Sequence, residues 1–136
     1  MLNKCTRTEL MAAPIMKEAY EKEYTSYLAD KEVLQSLKPL MVNKQIIIVM
    51  GDWCSDSQTE VPRFYKLLDQ LGVEDIDISL IAVNELKKAE DGLIDELEIV
   101  SVPTFILMEE NKEIGRIIEK PVLTLEKDVL AIVLNN

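Results

Sequence analysis

The sequence contains no histidine among its 136 residues. Catalysis by a Ser-His-Asp or Cys-His group is therefore excluded, as is any metal site with a histidine ligand. The two cysteines, Cys5 and Cys54, are too few for a four-cysteine zinc site. The four glycines form no phosphate-binding loop motif. Carboxylate, hydroxyl, lysine or thiol chemistry remains open, and we expect neither a metal nor an organic cofactor.

Long apolar runs are also missing, since no stretch approaches the roughly 18 residues that a membrane-spanning helix needs. Charges and Pro14 interrupt the first residues, which is untypical of a secretory signal. The 25 acidic and 15 basic residues give a formal net charge of −10, which would repel phosphate backbones and anionic membranes. We therefore expect a cytoplasmic protein that binds neither nucleic acid nor a membrane.

Alternating helices and strands are predicted along the chain, within one domain that covers residues 1–136. The run QIIIVM at 45–50 is typical of a buried strand, and Asp30, Gly72 and Thr124 are suited to the ends of helices. Helices are predicted at 15–28, after Asp30, and at 55–71, 91–97 and 125–134; strands are predicted at 45–50, 76–84, 104–109 and 114–118. This order indicates an α/β fold in which a mixed sheet lies between helices.

Cys54 falls where the buried strand gives way to the helix at 55–71. The first turn of a helix has unpaired N–H groups and the positive end of the helix dipole, which both favour a nucleophilic thiolate. Asp52 and Asp56 oppose this effect because like charges disfavour ionisation. Trp53 would shield one flank of the sulfur, and the hydroxyl of Ser57 could donate a hydrogen bond to it. A buried, unreactive cysteine is the alternative reading of this position.

A second motif, SVPT, precedes the strand at 104–109. A cis bond between Val102 and Pro103 would turn the neighbouring backbone toward the helix end that carries Cys54. Most X-Pro bonds are trans, so the motif by itself leaves this geometry open.

Taken together, these motifs resemble the thioredoxin family. The residues that carry the resemblance are the turn GDWCSDS, Pro62 eight residues after Cys54, and SVPT before a hairpin. The resemblance implies a thioredoxin-like core at about 45–134, preceded by a helical N-terminal segment at about 1–40. It also implies that Cys54 is the nucleophile, that Val102–Pro103 is cis, and that Trp53, Val102, Pro103 and Thr104 border the substrate groove. The backbone at Val102 would pair with an extended substrate as an added strand.

The chain departs from the family's pattern at several positions. Ser57 replaces the second, resolving cysteine, and Ile48 occupies the place where thioredoxins carry a buried aspartate. The N-terminal segment reads as purely helical, so the family's first strand is expected to be missing or replaced. Cys5 could serve as a resolving thiol if it came close to Cys54, although a packing role for Cys5 is the simpler interpretation.

These observations lead to two functional hypotheses. In the first, the protein carries out monothiol thiol–disulfide exchange: Cys54 attacks, Ser57 steadies the thiolate, and an external thiol resolves the mixed disulfide. The partner would be a thiol- or disulfide-bearing protein or a small thiol, with a low-molecular-weight thiol as co-substrate. In the second, the protein is a non-catalytic binding module that holds a partner peptide in the groove beside Trp53 and Pro103.

Overall fold

The computed structural model describes residues 4–86, 89, 92 and 94–135 of the chain. Five α-helices and five strands are assigned among these residues. In chain order they are β1 (Lys4–Cys5), α1 (Arg7–Ala12), α2 (Pro14–Ser26), α3 (Lys31–Leu37), β2 (Lys44–Met50), α4 (Ser55–Leu71), β3 (Ile78–Ala82), β4 (Thr104–Glu109), β5 (Lys112–Ile118) and α5 (Leu125–Leu134).

The strands form one mixed sheet in the order β1-β3-β2-β4-β5. The central strand β2 pairs in parallel with β3 and antiparallel with β4, and β5 returns beside β4 as a hairpin. The parallel pair places the carboxyl ends of β2 and β3 at the same edge of the sheet, where α4 begins. The predicted fold class, a thioredoxin-like α/β fold with a mixed sheet and flanking helices, is confirmed.

Two hydrophobic clusters lie on opposite faces of the sheet, because successive side chains of a strand point to opposite sides. Ile48 and Met50 of β2 belong to the larger cluster, which helices α2 to α5 cover. Val49 of β2 belongs to the smaller cluster, together with Ile81 and Val102. β2 is thus buried on both faces, as its uninterrupted apolar sequence predicts.

The ends of the helices follow local capping chemistry. Thr6 and Glu9 form a reciprocal capping box at α1, and Pro14 begins α2 at a position where its missing N–H costs nothing. The carboxylate of Asp30 accepts hydrogen bonds from two backbone N–H groups at the start of α3. Gly72 ends α4 in the left-handed conformation, at φ +78°, which glycine adopts without steric cost.

The prediction that the N-terminal segment is purely helical is wrong at Lys4–Cys5. These two residues form β1, which pairs antiparallel with β3 through Lys4 opposite Ile81 and Cys5 opposite Leu80. Two residues are too few to show the alternation that identifies a strand in sequence. The predicted helix at 91–97 lies partly outside the described residues, and the described residues Asp95–Leu97 form a 3₁₀ turn. No helix in the described ranges is long and apolar enough to cross a membrane.

Polar contacts fasten the N-terminal helices to the rest of the fold. The hydroxyl of Tyr24 on α2 donates to Asp69 of α4 at 2.6 Å. Glu126, at the start of α5 and only 3% exposed, accepts hydrogen bonds from the hydroxyl of Tyr27 and, at 2.9 Å, from the backbone N–H of Asp30. One buried carboxylate therefore joins the chain between α2 and α3 to α5.

Replacing Glu126 with alanine should destabilise the fold by about 1–2 kcal/mol, because two part-buried donors would lose their acceptor. Urea denaturation followed by circular dichroism would measure the change as a lower midpoint. Glu21→Ala, at an exposed position of α2, is the matched control and should leave the midpoint nearly unchanged. Equal midpoints for the two variants would contradict a structural role for Glu126.

Candidate thiol site

The turn between β2 and α4 places Cys54 at the N-cap of the helix. The backbone N–H of Cys54 donates to the carbonyl of Gly51 at 3.0 Å, and the Cys54 carbonyl accepts the first helical hydrogen bond from Gln58. Gln58 also reaches back with its amide to the carbonyl of Asp52 at 2.9 Å. These bonds hold Cys54, which is half-buried, at the carboxyl edge of the sheet.

The sulfur of Cys54 faces the Val102 carbonyl rather than the N–H groups of its own helix. The distance from Sγ to that oxygen is 3.5 Å, and the Cys54 side chain makes no hydrogen bond that caps α4. The Val102–Pro103 bond next to it is cis. In this arrangement the thiol donates its proton to a carbonyl, and ionisation of the thiol would break that contact.

Ser57, which is expected to support the sulfur, is fully buried, and its hydrogen bond in the structure is to the turn. Its hydroxyl oxygen accepts a hydrogen bond from the backbone N–H of Gly51 at 3.2 Å. This bond satisfies a buried donor that would otherwise carry a desolvation cost. Donation from the Ser57 hydroxyl to the Cys54 sulfur stays a prediction.

Trp53, the residue before Cys54, is 39% exposed, and its indole N–H donates to the Val83 carbonyl at 3.0 Å. The indole packs directly over Gly51, because a Cβ atom at that position would lie only 2.5 Å from the ring. Gly51 and Val83 are thus positioning residues that the sequence did not single out. The glycine that precedes Asp-Trp-Cys was a signal for the close approach of the ring to the backbone.

The predicted groove residues Val102, Pro103 and Thr104 are all buried. The hydroxyl of Thr104 donates to the Ser101 carbonyl at 2.6 Å, and the Pro103 carbonyl accepts from the backbone N–H of Glu119 at 2.7 Å. The backbone N–H of Val102 has no hydrogen-bond partner within the described part of the chain. A substrate role for these residues stays a prediction, and it concerns the backbone at Val102 more than the three side chains.

The electrostatic surroundings of Cys54 are mixed. Asp56 pairs with Lys120 at 3.6 Å, and both side chains are partly exposed, so the pair contributes little stability. The position six residues before Cys54 holds Ile48, which is fully buried in the larger cluster and supplies no proton carrier. Among the described residues, no three His, Cys, Asp or Glu side chains are arranged to hold a metal ion.

Cys5 lies on the other face of the sheet from Cys54. Cys5 packs against the larger hydrophobic cluster, whereas Cys54 packs against the smaller one. Burial, and then the nearby charge of Glu9, raise the pKa of the Cys5 thiol to about 11. Both cysteines are free thiols. This placement separates Cys5 from the site and keeps it protonated at neutral pH.

The fold and the site define a protein of the thioredoxin-like class, in which a cysteine begins the helix after the central strand. A family model described as "Thioredoxin" matches residues 7–127, so the chain belongs to the thioredoxin family. The match begins at α1 and therefore includes the N-terminal helices. Membership supports a general function in redox or thiol–disulfide exchange.

Two solved structures share the fold at low sequence identity. A protein of unknown function from Pseudomonas aeruginosa is 16% identical with a TM-score of 0.67, and the match covers 97% of this chain and 81% of that one. An HIV epitope scaffold is 16% identical with a TM-score of 0.59, covering 96% of this chain and 88% of its own. No curated protein matches the chain. These likenesses bear on the fold alone.

Substituting Gly51 with alanine should displace the indole of Trp53, because the added Cβ would overlap the ring. Trp53 is the single tryptophan of the chain, so its fluorescence reports on this site alone. We expect a red-shifted emission maximum as the ring loses its contact with the turn. Ser55→Ala, at the exposed first position of α4, should leave the spectrum unchanged. A native spectrum for Gly51→Ala would refute the packing described.

The raised pKa of Cys5 predicts slow alkylation of its thiol near neutral pH. In a Cys54→Ser variant at pH 8, only about one thousandth of Cys5 would be thiolate, and the iodoacetamide rate should rise about tenfold per pH unit. The reciprocal Cys5→Ser variant, which retains Cys54, provides the comparison. A Cys5 rate that levels off near pH 9 would contradict the buried environment.

Proposed function

We propose that the protein catalyses monothiol thiol–disulfide exchange through Cys54. The proposal is carried by one observation: Cys54 is partly exposed at the start of α4, and its sulfur lies 3.5 Å from the carbonyl of Val102. A disulfide that approaches Val102 as an extended segment would bring its own sulfur close to Cys54. The unpaired N–H of Val102 in the described chain favours such strand-like docking.

The exchange has two balanced steps. The thiolate of Cys54 attacks one sulfur of a substrate disulfide, a mixed disulfide with Cys54 forms, and the other substrate sulfur leaves as a thiolate. An external thiolate then attacks the substrate sulfur of the mixed disulfide and releases Cys54. The net result is transfer of the disulfide from the substrate to a new pair of sulfurs, with no change in Cys54.

An external thiol is required because this chain offers no second thiol at the site. Ser57 cannot form a disulfide, and Cys5 packs on the opposite face of the sheet. A low-molecular-weight thiol, or a thiol of the substrate itself, would complete the reaction. Abundant reduced small thiols are typical of the cytoplasm, which is the compartment that this proposal favours.

A binding module without turnover is the second candidate. The contact between the Cys54 thiol and the Val102 carbonyl favours it, because this bond is available to the protonated sulfur and is lost on ionisation. The indole of Trp53, which is held by its hydrogen bond to the Val83 carbonyl, would then be the main contact for a partner peptide.

The exchange hypothesis predicts that the protein speeds the removal of glutathione from a peptide that carries it as a mixed disulfide, with reduced glutathione as the resolving thiol. The native protein and the Cys5→Ser variant should release the peptide thiol at equal rates, whereas Cys54→Ser should show only the uncatalysed rate. Chromatography of the released peptide measures each rate.

A dithiol variant separates the monothiol mechanism from general activity. Ser57→Cys should reduce insulin at least about tenfold faster than the native protein, because it supplies the missing resolving thiol. Ser55→Cys adds a thiol one residue from Cys54, where it lies on a different side of the helix, and should not have this effect. Absence of glutathione removal by the native protein, together with saturable binding of the peptide, would establish the binding module instead.

A further inference from the structure

A cavity of about 300 Å³ lies at the edge of the sheet where β1 ends and the chain enters α1. Its walls include Cys5, Arg7, Tyr65 and Leu80. Tyr65 follows Cys54 by eleven residues along α4, so the cavity lies about 16 Å along the helix from the thiol site. The volume is at the lower end of the range found for small-molecule sites.

The hydroxyl of Tyr65, a residue that lines this cavity, has no partner among the described residues. The side chain of Tyr65 is only 2% exposed. The hydroxyls of Tyr20, Tyr24 and Tyr27 are all hydrogen-bonded, to Arg7, Asp69 and Glu126 respectively. A tyrosine hydroxyl donates as well as accepts, so the Tyr65 hydroxyl is available to an acceptor that enters the cavity.

The same cavity wall contains further hydrogen-bond donors that have no acceptor among the described residues. Nε of Arg7 is buried without an acceptor in the described chain, and the guanidinium lies 4.2 Å above the ring of Tyr65. Strand β1 covers only Leu80 and Ile81 of β3, so that edge of β3 has no partner strand at Ile78 and Ser79 among the described residues. Backbone groups at a free strand edge can pair with a ligand.

Charge decides the class of ligand. The guanidinium of Arg7 is already matched by Asp69, at 2.7 and 2.8 Å, and by Asp75, at 2.7 Å. Lys4 also lines the cavity, so two cationic side chains and two carboxylates lie in or next to its wall and their formal charges balance. An anion would be repelled by the carboxylates and a cation by Lys4 and Arg7, whereas a neutral acceptor avoids both repulsions.

We propose that this cavity binds a small neutral molecule whose carbonyl or amide oxygen accepts a hydrogen bond from the hydroxyl of Tyr65. The apolar part of that molecule packs against Leu80 and Cys5. The site does not use Cys54, so the proposal of ligand binding is independent of the proposal of thiol exchange.

Three probes that share a cyclohexane ring and differ in charge test the proposal: cyclohexanecarboxamide, cyclohexanecarboxylate and cyclohexylammonium at pH 7. Each is titrated into the full-length protein labelled with ¹⁵N, and the amide signals of Cys5, Arg7, Ser79 and Leu80 are followed. We expect saturable shifts with the carboxamide in the low millimolar range, and at least tenfold weaker binding of the two charged probes. Equal or tighter binding of either charged probe would overturn the assignment of a neutral ligand.

A conservative variant links the binding to the proposed hydrogen bond. Tyr65→Phe removes an oxygen that has no partner in the described chain, so it should fold normally and bind the carboxamide about tenfold more weakly. Tyr27→Phe, whose hydroxyl contacts Glu126 instead, should bind the carboxamide as the native protein does. Unchanged affinity in Tyr65→Phe, or the absence of saturable shifts in the native protein, would refute the site.

Discussion

The short turn from Gly51 to Cys54 is the constraint on which the rest of the site depends. Strand β2 pairs with strands on both sides and packs against hydrophobic clusters on both faces, which hold its carboxyl end in place. The carbonyl and the N–H of Gly51 are both hydrogen-bonded, to Cys54 and Ser57 respectively. These bonds satisfy the polar backbone groups of Gly51 and tie the turn to the end of β2. The position of the Cys54 sulfur therefore follows from the position of β2.

Ser57 connects the structure of this turn to its chemistry. A serine oxygen accepts the hydrogen bond from Gly51 better than a thiol sulfur would, because sulfur is a weak acceptor. Serine at position 57, where thioredoxins carry a cysteine, also leaves the site without a resolving thiol. Any exchange by Cys54 would therefore depend on a second molecule. Cys5 does not compensate, since the sheet lies between the two cysteines and burial keeps the Cys5 thiol protonated.

The N-terminal helices take part in the fold through polar contacts as well as apolar ones. Asp69 near the end of α4 accepts hydrogen bonds from Arg7 and Tyr24, and Glu126 accepts from Tyr27. These contacts bring the chain from β1 to α2 against the far end of α4 from Cys54. Asp69 and Asp75 both accept hydrogen bonds from the terminal nitrogens of Arg7. Because these carboxylates are already paired, the cavity beside them keeps donors that have no acceptor among the described residues.

Local interactions allowed the sequence alone to determine most of the helices and strands. The helices at 55–71 and 125–134 and the strand at 104–109 begin and end as predicted, because hydrophobic periodicity, Thr124 and Gly72 act within a few residues of each helix or strand. The sequence also determined that one cysteine begins a helix after a buried strand. Only the tertiary structure decided that the sulfur faces Val102, that Ser57 bonds to the turn, and that Lys4–Cys5 joins the sheet. Cys54 and Val102 are 48 residues apart, and no local pattern records which distant backbone group will meet a side chain once the core has packed.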